Sequence, residues 1–133
     1  SKLYRALEKC PTAAFAYCDY YEQRVKGKKR RISLEGNVFL GTAAGGFLYR
    51  RSWLIKYGCF DVSLTGLDFY AFPEYDLLMK MFQDGHSVAY VPKPLWTYVR
   101  HQSNFTILNN QKMEKGKKIF RSRHGGYLPP IRY

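Results

Sequence analysis

The sequence predicts an α/β domain, a mixed sheet with flanking helices. Three observations lead there. Apolar residues at helical spacing alternate along the chain with short β-rich runs. Gly and Pro punctuate the boundaries between them. The chain has 133 residues, of which 46% are hydrophobic and 17% aromatic, enough for one domain with a modest core.

Leu3, Ala6, Leu7 and Cys10 repeat at helical spacing, and Pro11 stops that helix. Ala13 to Tyr20 reads as a strand of small and aromatic residues. Lys26 to Arg31 follows as a basic turn in which five of six residues are cations. It is either a solvated hairpin or a phosphate-binding loop. Short strands are expected at 37–40 and 47–49, around the turn Gly41-Thr42-Ala43-Ala44-Gly45-Gly46. That turn is neither GxGxxG nor a P-loop, so its glycines are read as allowing close backbone approach at a bend. Ser52 is the expected N-cap of a short helix ending at Tyr57, with Gly58 at C′.

Pro73 suits the first turn of the next helix, whose apolar stripe is Leu77, Leu78, Met81 and Phe82 and which Gly85 ends. Ser87 to Val91 is a strand stopped by Pro92 and Pro94. A last helix is expected over 111–124, with Gly116 as a flaw in its middle. Gly125-Gly126 and Pro129-Pro130 mark a tail, and residues 112–133 form a basic region of a single domain spanning 1–133. The chain shows no internal repeat and no linker long enough to divide it.

Twenty-two basic against 10 acidic residues give a net charge of +12, and 12 Tyr and 9 Phe make the chain unusually aromatic. This balance favours anionic partners: nucleotide diphosphates, nucleic acid or an anionic membrane surface. Three cysteines, an odd number without CxxC spacing, argue against a disulfide framework or a structural zinc site and suit free thiols in a reducing cytoplasm. No apolar run approaches bilayer-spanning length and no signal peptide opens the chain. The expected location is cytoplasmic. Lys112, Lys115, Lys117, Lys118, Arg121 and Arg123 either form a solvated helix face or hold the protein peripherally on an anionic membrane.

Glu74 sits in the first turn of its helix, where unpaired N–H groups favour the ionised carboxylate. It either stabilises the helix start or accepts a proton from a hydroxyl at a cleft edge. Asp76 points to another side of the helix and reads as structural. His101 is either a hydrogen-bonded surface residue or a ligand for phosphate or a metal ion, and Arg100 matches phosphate oxygens. Phe69, Tyr70, Phe72, Trp96 and Tyr98 form either an aromatic core cluster or a platform for sugar C–H faces.

Three elements, in order and spacing, carry a family likeness. They are Gly58-Cys59-Phe60-Asp61, then Pro73-Glu74-Tyr75-Asp76-Leu77, then Tyr98-Val99-Arg100-His101 followed by Ser103 and Thr106. Together they resemble the acceptor-side half of a family 2 glycosyltransferase with the GT-A fold, over about residues 2 to 124. The resemblance implies a partial GT-A-like, Rossmann-like mixed sheet. It implies inverting transfer from a nucleotide-sugar donor to a glycan or lipid-linked acceptor hydroxyl, as in polysaccharide biosynthesis. Glu74 falls where the family has its catalytic Asp, and Pro73 where it has Glu. Arg100 and His101 would face the donor diphosphate or its Mn²⁺ or Mg²⁺, with His101 as a metal ligand. Phe69, Tyr70, Trp96 and Tyr98 would hold the acceptor, with Asp61 and Asp76 structural beside the site.

No Asp-x-Asp metal motif occurs in the chain. The likeness therefore covers the portion downstream of that motif, and little or no turnover is expected from residues 1–133 by themselves. The exposed sheet edge of such a portion would pair with a second copy or with a missing amino-terminal half. A nucleic-acid-binding module is the less favoured alternative, because no recognised signature appears and an acid-led helix repels phosphates. A non-catalytic interaction domain derived from a transferase is the other.

Overall fold

The computed structural model describes residues 1–42 and 45–130, with the side chains of Gly41, Thr42 and Thr106 outside the description. It is an α/β structure with two three-stranded mixed sheets and flanking helices. Helix α1 (Lys2–Lys9) is capped by the Ser1 hydroxyl, which accepts from the Tyr4 N–H. Strand β1 (Ala13–Cys18) is buried along its whole length between β4 (Phe47–Tyr49), antiparallel, and β5 (Ser87–Val91), parallel. Ala16 of β1 packs with Leu7 of α1, while Phe15 and Tyr17 on the alternate positions pack with helix α4 (Pro73–Gln83). Small residues on one side and large aromatic residues on the other thus set how closely each helix approaches.

The expected strand Ala13–Tyr20 is divided at Asp19. Strand β2 (Tyr20–Arg24) belongs to the second sheet, antiparallel to β3 (Arg30–Ile32) and parallel to β6 (Thr97–Arg100). The Leu95 N–H donates to the Asp19 carbonyl at 3.2 Å and the Tyr21 N–H to the Trp96 carbonyl at 2.9 Å, carrying the pairing across the break. The reason for the break is the Asp19 side chain, which is fully buried. Its Oδ2 accepts from Arg31 Nε (3.0 Å) and Nη2 (2.6 Å), and its Oδ1 from the Leu34 N–H (2.9 Å) and the Tyr90 hydroxyl (2.5 Å). The hairpin turn runs over 25–29, Arg30 and Arg31 of the expected turn begin β3, and Arg31 holds this carboxylate while staying half exposed.

Several boundaries differ from expectation for local reasons. Residues 39–42 form helix α2 (Phe39–Thr42) rather than a strand, because Val38 is buried and Phe39 stacks on Tyr75 at 5.8 Å. A short apolar run does not distinguish the two by periodicity. Helix α3 (Arg51–Lys56) starts after Arg50, not at Ser52. The Arg50 N–H donates to the Ala14 carbonyl, and its guanidinium reaches the carbonyls of Ala13 (2.9 Å) and Leu7 (2.6 Å). Gly58 takes the expected C′ role at φ +73°. Of the GTAAGG turn, Ala43 and Ala44 lie outside the described residues. At Gly46 (φ +80°) a Cβ would stand 2.2 Å from Trp96 Nε1, so the close approach expected of that turn is met there.

One apolar cluster joins both sheets: Ala14, Phe15 and Tyr17 of β1, Tyr20 of β2 and Ile32 of β3 pack with Leu77, Leu78 and Met81 of α4. After β6 come helices α5 (Phe105–Leu108) and α6 (Asn110–Arg123). Helix α6 is integral to the fold, since its Met113 and Phe120 pack with Phe72 and Tyr75. Half the cations expected to be free on it are engaged: Lys115 pairs with Asp68, Lys117 with Glu114, and Arg123 with both Asp61 and Asp76. The three cysteines are free thiols.

Gly116 is no flaw. A Cβ there would lie 1.7 Å from the Tyr70 carbonyl oxygen, so α6 crosses the backbone of the loop before α4 at the closest possible distance. Helix propensity alone predicts that Gly116→Ala stabilises by about 1 kcal/mol. The contact reverses the sign. The variant is expected to lose at least about 1–3 kcal/mol, read as a fall in urea midpoint. A midpoint equal to or above wild type would show that the crossing is looser than described.

Candidate active site

Glu74 is the second residue of α4, after Pro73 at the first helical position. The residue before them, Phe72, is fully buried with a left-handed backbone (φ 54°, ψ 63°), a conformation costly for a non-glycine residue and more so before proline. Ring contacts with Tyr70, Tyr75 and Phe120 hold it there. That bend aims the first turn of α4 at two adjoining cavities, and Glu74 lines both. One, of about 490 Å³, is also lined by Phe60, Asp61, Thr65 and Tyr70. The other, of about 350 Å³, is also lined by Tyr70, Tyr98, Asn104, Phe105 and Met113.

The Tyr70 hydroxyl donates to Glu74 Oε2 at 2.8 Å, and Glu74 makes no ion pair among the described residues. Burial pushes its carboxyl above the ordinary range, and its backbone N–H and Tyr70 lower it only in part. The first-turn N–H effect expected from the sequence is present, but loss of water outweighs it. Burial and the adjacent Glu74 charge in turn push the hydroxyls of Tyr49 and Tyr70 upward. An unpaired carboxylate of raised basicity, walled by aromatic rings and open to a cavity, can accept a proton from a hydroxyl placed there.

Asp61 is held otherwise. Its Oδ1 accepts from the Ser63 N–H (3.0 Å) and hydroxyl (2.6 Å), and Arg123 Nη2 donates to its Oδ2 at 2.8 Å. Ser63 and then Arg123 lower it to about 2. Asp76, fully buried, meets Lys80 (2.8 Å), Arg123 Nε (2.8 Å) and His124 Nε2 (2.9 Å). Both stand beside the site as supports. Arg123 and His124 were not singled out in the sequence as their partners, and an Asp at the head of one helix with basic residues at the end of the last is the only signal for it.

Of the four aromatic residues expected to hold an acceptor, Tyr70 and Tyr98 line a cavity with Glu74. Phe69 and Trp96 do not. Phe69 lies over Gly66, where a Cβ would come within 2.3 Å of its ring. Trp96 stacks on Tyr20 at 5.0 Å and is closed over by Gly46. Phe105, Asn104 and Met113 belong to the cavity wall but carry no motif, and only the fold brings them there.

His101 and Arg100 line a different groove, of about 680 Å³, with Arg24 and Lys26. The third family-like element, Tyr98 to His101, lies largely in strand β6 (Thr97–Arg100), a strand not expected from the sequence. Arg100 Nε donates to Glu22 Oε2 at 2.8 Å, so the guanidinium expected on a diphosphate is already held on one edge by a carboxylate. His101 is exposed, and its backbone N–H donates to Asn104 Oδ1 at 2.5 Å. Ser103 is exposed; the side chain of Thr106 lies outside the described residues. No three His, Cys, Asp or Glu side chains among the described residues come together as a ligand set for a cation. His101 thus lacks the carboxylates that Mn²⁺ or Mg²⁺ would need beside it, the residues described do not fit that ion, and no chemical step is assigned to it.

Compared with known families and with curated proteins, the sequence matches none.

Proposed function

We propose that these residues are the acceptor-side portion of a GT-A glycosyltransferase, with Glu74 as the general base. One observation supports this above the rest: a half-buried carboxylate without a counter-cation among the described residues, at the mouth of two cavities that Tyr70 lines and one of which Tyr98 also lines. The aromatic rings suit the apolar faces of a sugar. In the inverting step the Glu74 carboxylate takes the proton of the acceptor hydroxyl. That oxygen bonds to the anomeric carbon, and the donor diphosphate leaves from the opposite side with the electrons of the broken C–O bond. Asp61 and Asp76, tied through Arg123, hold the loop before α4 and the helix itself in place around the base. Sheets of mixed direction with flanking helices are compatible with the GT-A reading.

A non-catalytic interaction domain of the same origin is the second reading. Pro73 in place of the family's acid favours it, as does the lack of a cation ligand set among the described residues. A panel of radiolabelled nucleotide sugars separates the two. The longest natural form of the protein is expected to turn over at least one of them, and residues 1–133 by themselves none. Absence of turnover in the longest form with every donor, or robust turnover by residues 1–133, would sink the proposal.

A further inference from the structure

We propose that the groove between the β2–β3 hairpin turn and α5 docks the protein on an anionic lipid surface. The inference does not rest on the transferase reading and uses no residue that lines the Glu74 cavities, although Arg100 and His101 are the residues that the family likeness places on a donor diphosphate. The hairpin turn contributes Arg24, Val25 and Lys26, and the facing wall Arg100, His101 and Ile107. Arg24 and Arg100 are register partners on β2 and β6, which brings their charges side by side. No acid among the described residues lines the groove. Glu22, one pleat away on the same face, is already taken by Arg30 and Arg100.

The apolar residues are as telling as the cations. Val25 is 66% exposed and Ile107 53%, and Leu108, next on the same short helix, is 69% exposed. Lys28 and Lys29 follow Val25 in the turn. Aliphatic tips standing out among lysines and arginines match a bilayer surface, where phosphate headgroups meet the cations and the tips enter the acyl boundary. The alternative of single-stranded nucleic acid calls for flat aromatic faces to stack on, and the groove lining holds aliphatic residues and only the His101 ring. No helix among the described residues is long and apolar enough to cross a membrane, so the contact is with the surface.

The test is co-sedimentation of the whole protein with phosphatidylcholine vesicles, with and without about one-third phosphatidylglycerol. Binding is expected to the anionic vesicles only, falling with salt. Each cation near such a surface contributes roughly five-fold, so Arg24→Glu with Lys26→Glu is expected to weaken binding at least ~25-fold. Val25→Ser with Ile107→Ser keeps the charge and is expected to abolish the binding that persists at high salt. All four side chains are exposed or at a turn, and an unchanged circular dichroism spectrum checks the fold.

Because the chain carries a charge of +12, Lys118→Glu with Arg121→Glu on α6 is the control for attraction by charge alone. Equal loss from both charge pairs would overturn the assignment to this groove. So would competition by millimolar inorganic phosphate, which would mark a small-anion site. Retention of an oligothymidine in place of vesicles, lost in the same variants, would make it a nucleic-acid surface and overturn the proposal too.

Discussion

Glu74→Gln in the longest natural form is expected to lower kcat/KM by roughly 10²–10⁴-fold, the usual worth of a positioned general base. Substrate binding should change little, because the amide keeps the size of the side chain and one oxygen for Tyr70. Stability should move the other way. Burial holds the Glu74 carboxyl above its ordinary value of 4.5, so the folded protein binds this proton more tightly than the unfolded chain does. By linkage the charged carboxylate then costs stability as pH rises from the unfolded value through the folded one. Gln at 74 removes that cost. Its melting temperature is expected to equal or exceed wild type at pH 8, with the two curves converging below pH 4.5. In wild type, kcat/KM should fall as the pH drops through the raised value. Activity that survives the substitution removes Glu74 as the base, and a large drop in melting temperature at pH 8 makes it a structural residue.

The largest stability effect is expected at Asp19. Asp19→Ala strands the Leu34 N–H in the interior, leaves the Tyr90 hydroxyl with Ser33 alone and leaves Arg31 without its carboxylate. Breaking a buried pair costs about 3–5 kcal/mol. Arg31 is half exposed and can turn to water, which puts the expected loss near the lower figure. Against a total of about 5–15 kcal/mol, that is a large share of the stability of a domain this size. Burial raises the Asp19 carboxyl, but the bonds from Tyr90, Leu34 and Arg31 outweigh it and hold it below the ordinary value of 3.8. Its contribution is therefore whole above that value and is lost as the pH falls through the depressed one. Asp19→Asn should flatten this part of the acid-unfolding curve. A urea midpoint in Asp19→Ala within error of wild type would mean the carboxylate holds nothing together.

Much of the local structure was legible in the sequence because short-range chemistry decides it. Pro73 opens α4, Gly85 closes it, and the apolar stripe through Leu77 and Met81 faces the core as its spacing requires. Ser87–Val91 is a strand to the residue. What escaped notice depends on partners distant in the chain. A charged residue inside an apolar run gives no sign that Arg31, Leu34 and Tyr90 will converge on it, so the division of the first strand at Asp19 was hidden. Thr97–Arg100 is a strand because β2 lies beside it, and β2 was hidden behind that same break. At the candidate site Glu74, Tyr70 and Tyr98 were named from the sequence and share a cavity wall. Trp96 takes the core-cluster alternative, stacking on Tyr20 of the strand that the break concealed.

The ends of a chain are ordinarily where deletions are best tolerated. Here the last helix is a back wall. Met113 closes the cavity behind Glu74, Gly116 lies hard against the Tyr70 carbonyl, and Arg123 with His124 locks Asp76. Trimming the protein to a smaller soluble core from that side would thus unroof the very pocket one wished to keep. The packing continues past the helix, where Leu128 joins the Phe72, Tyr75 and Phe120 cluster and Pro129 is fully buried.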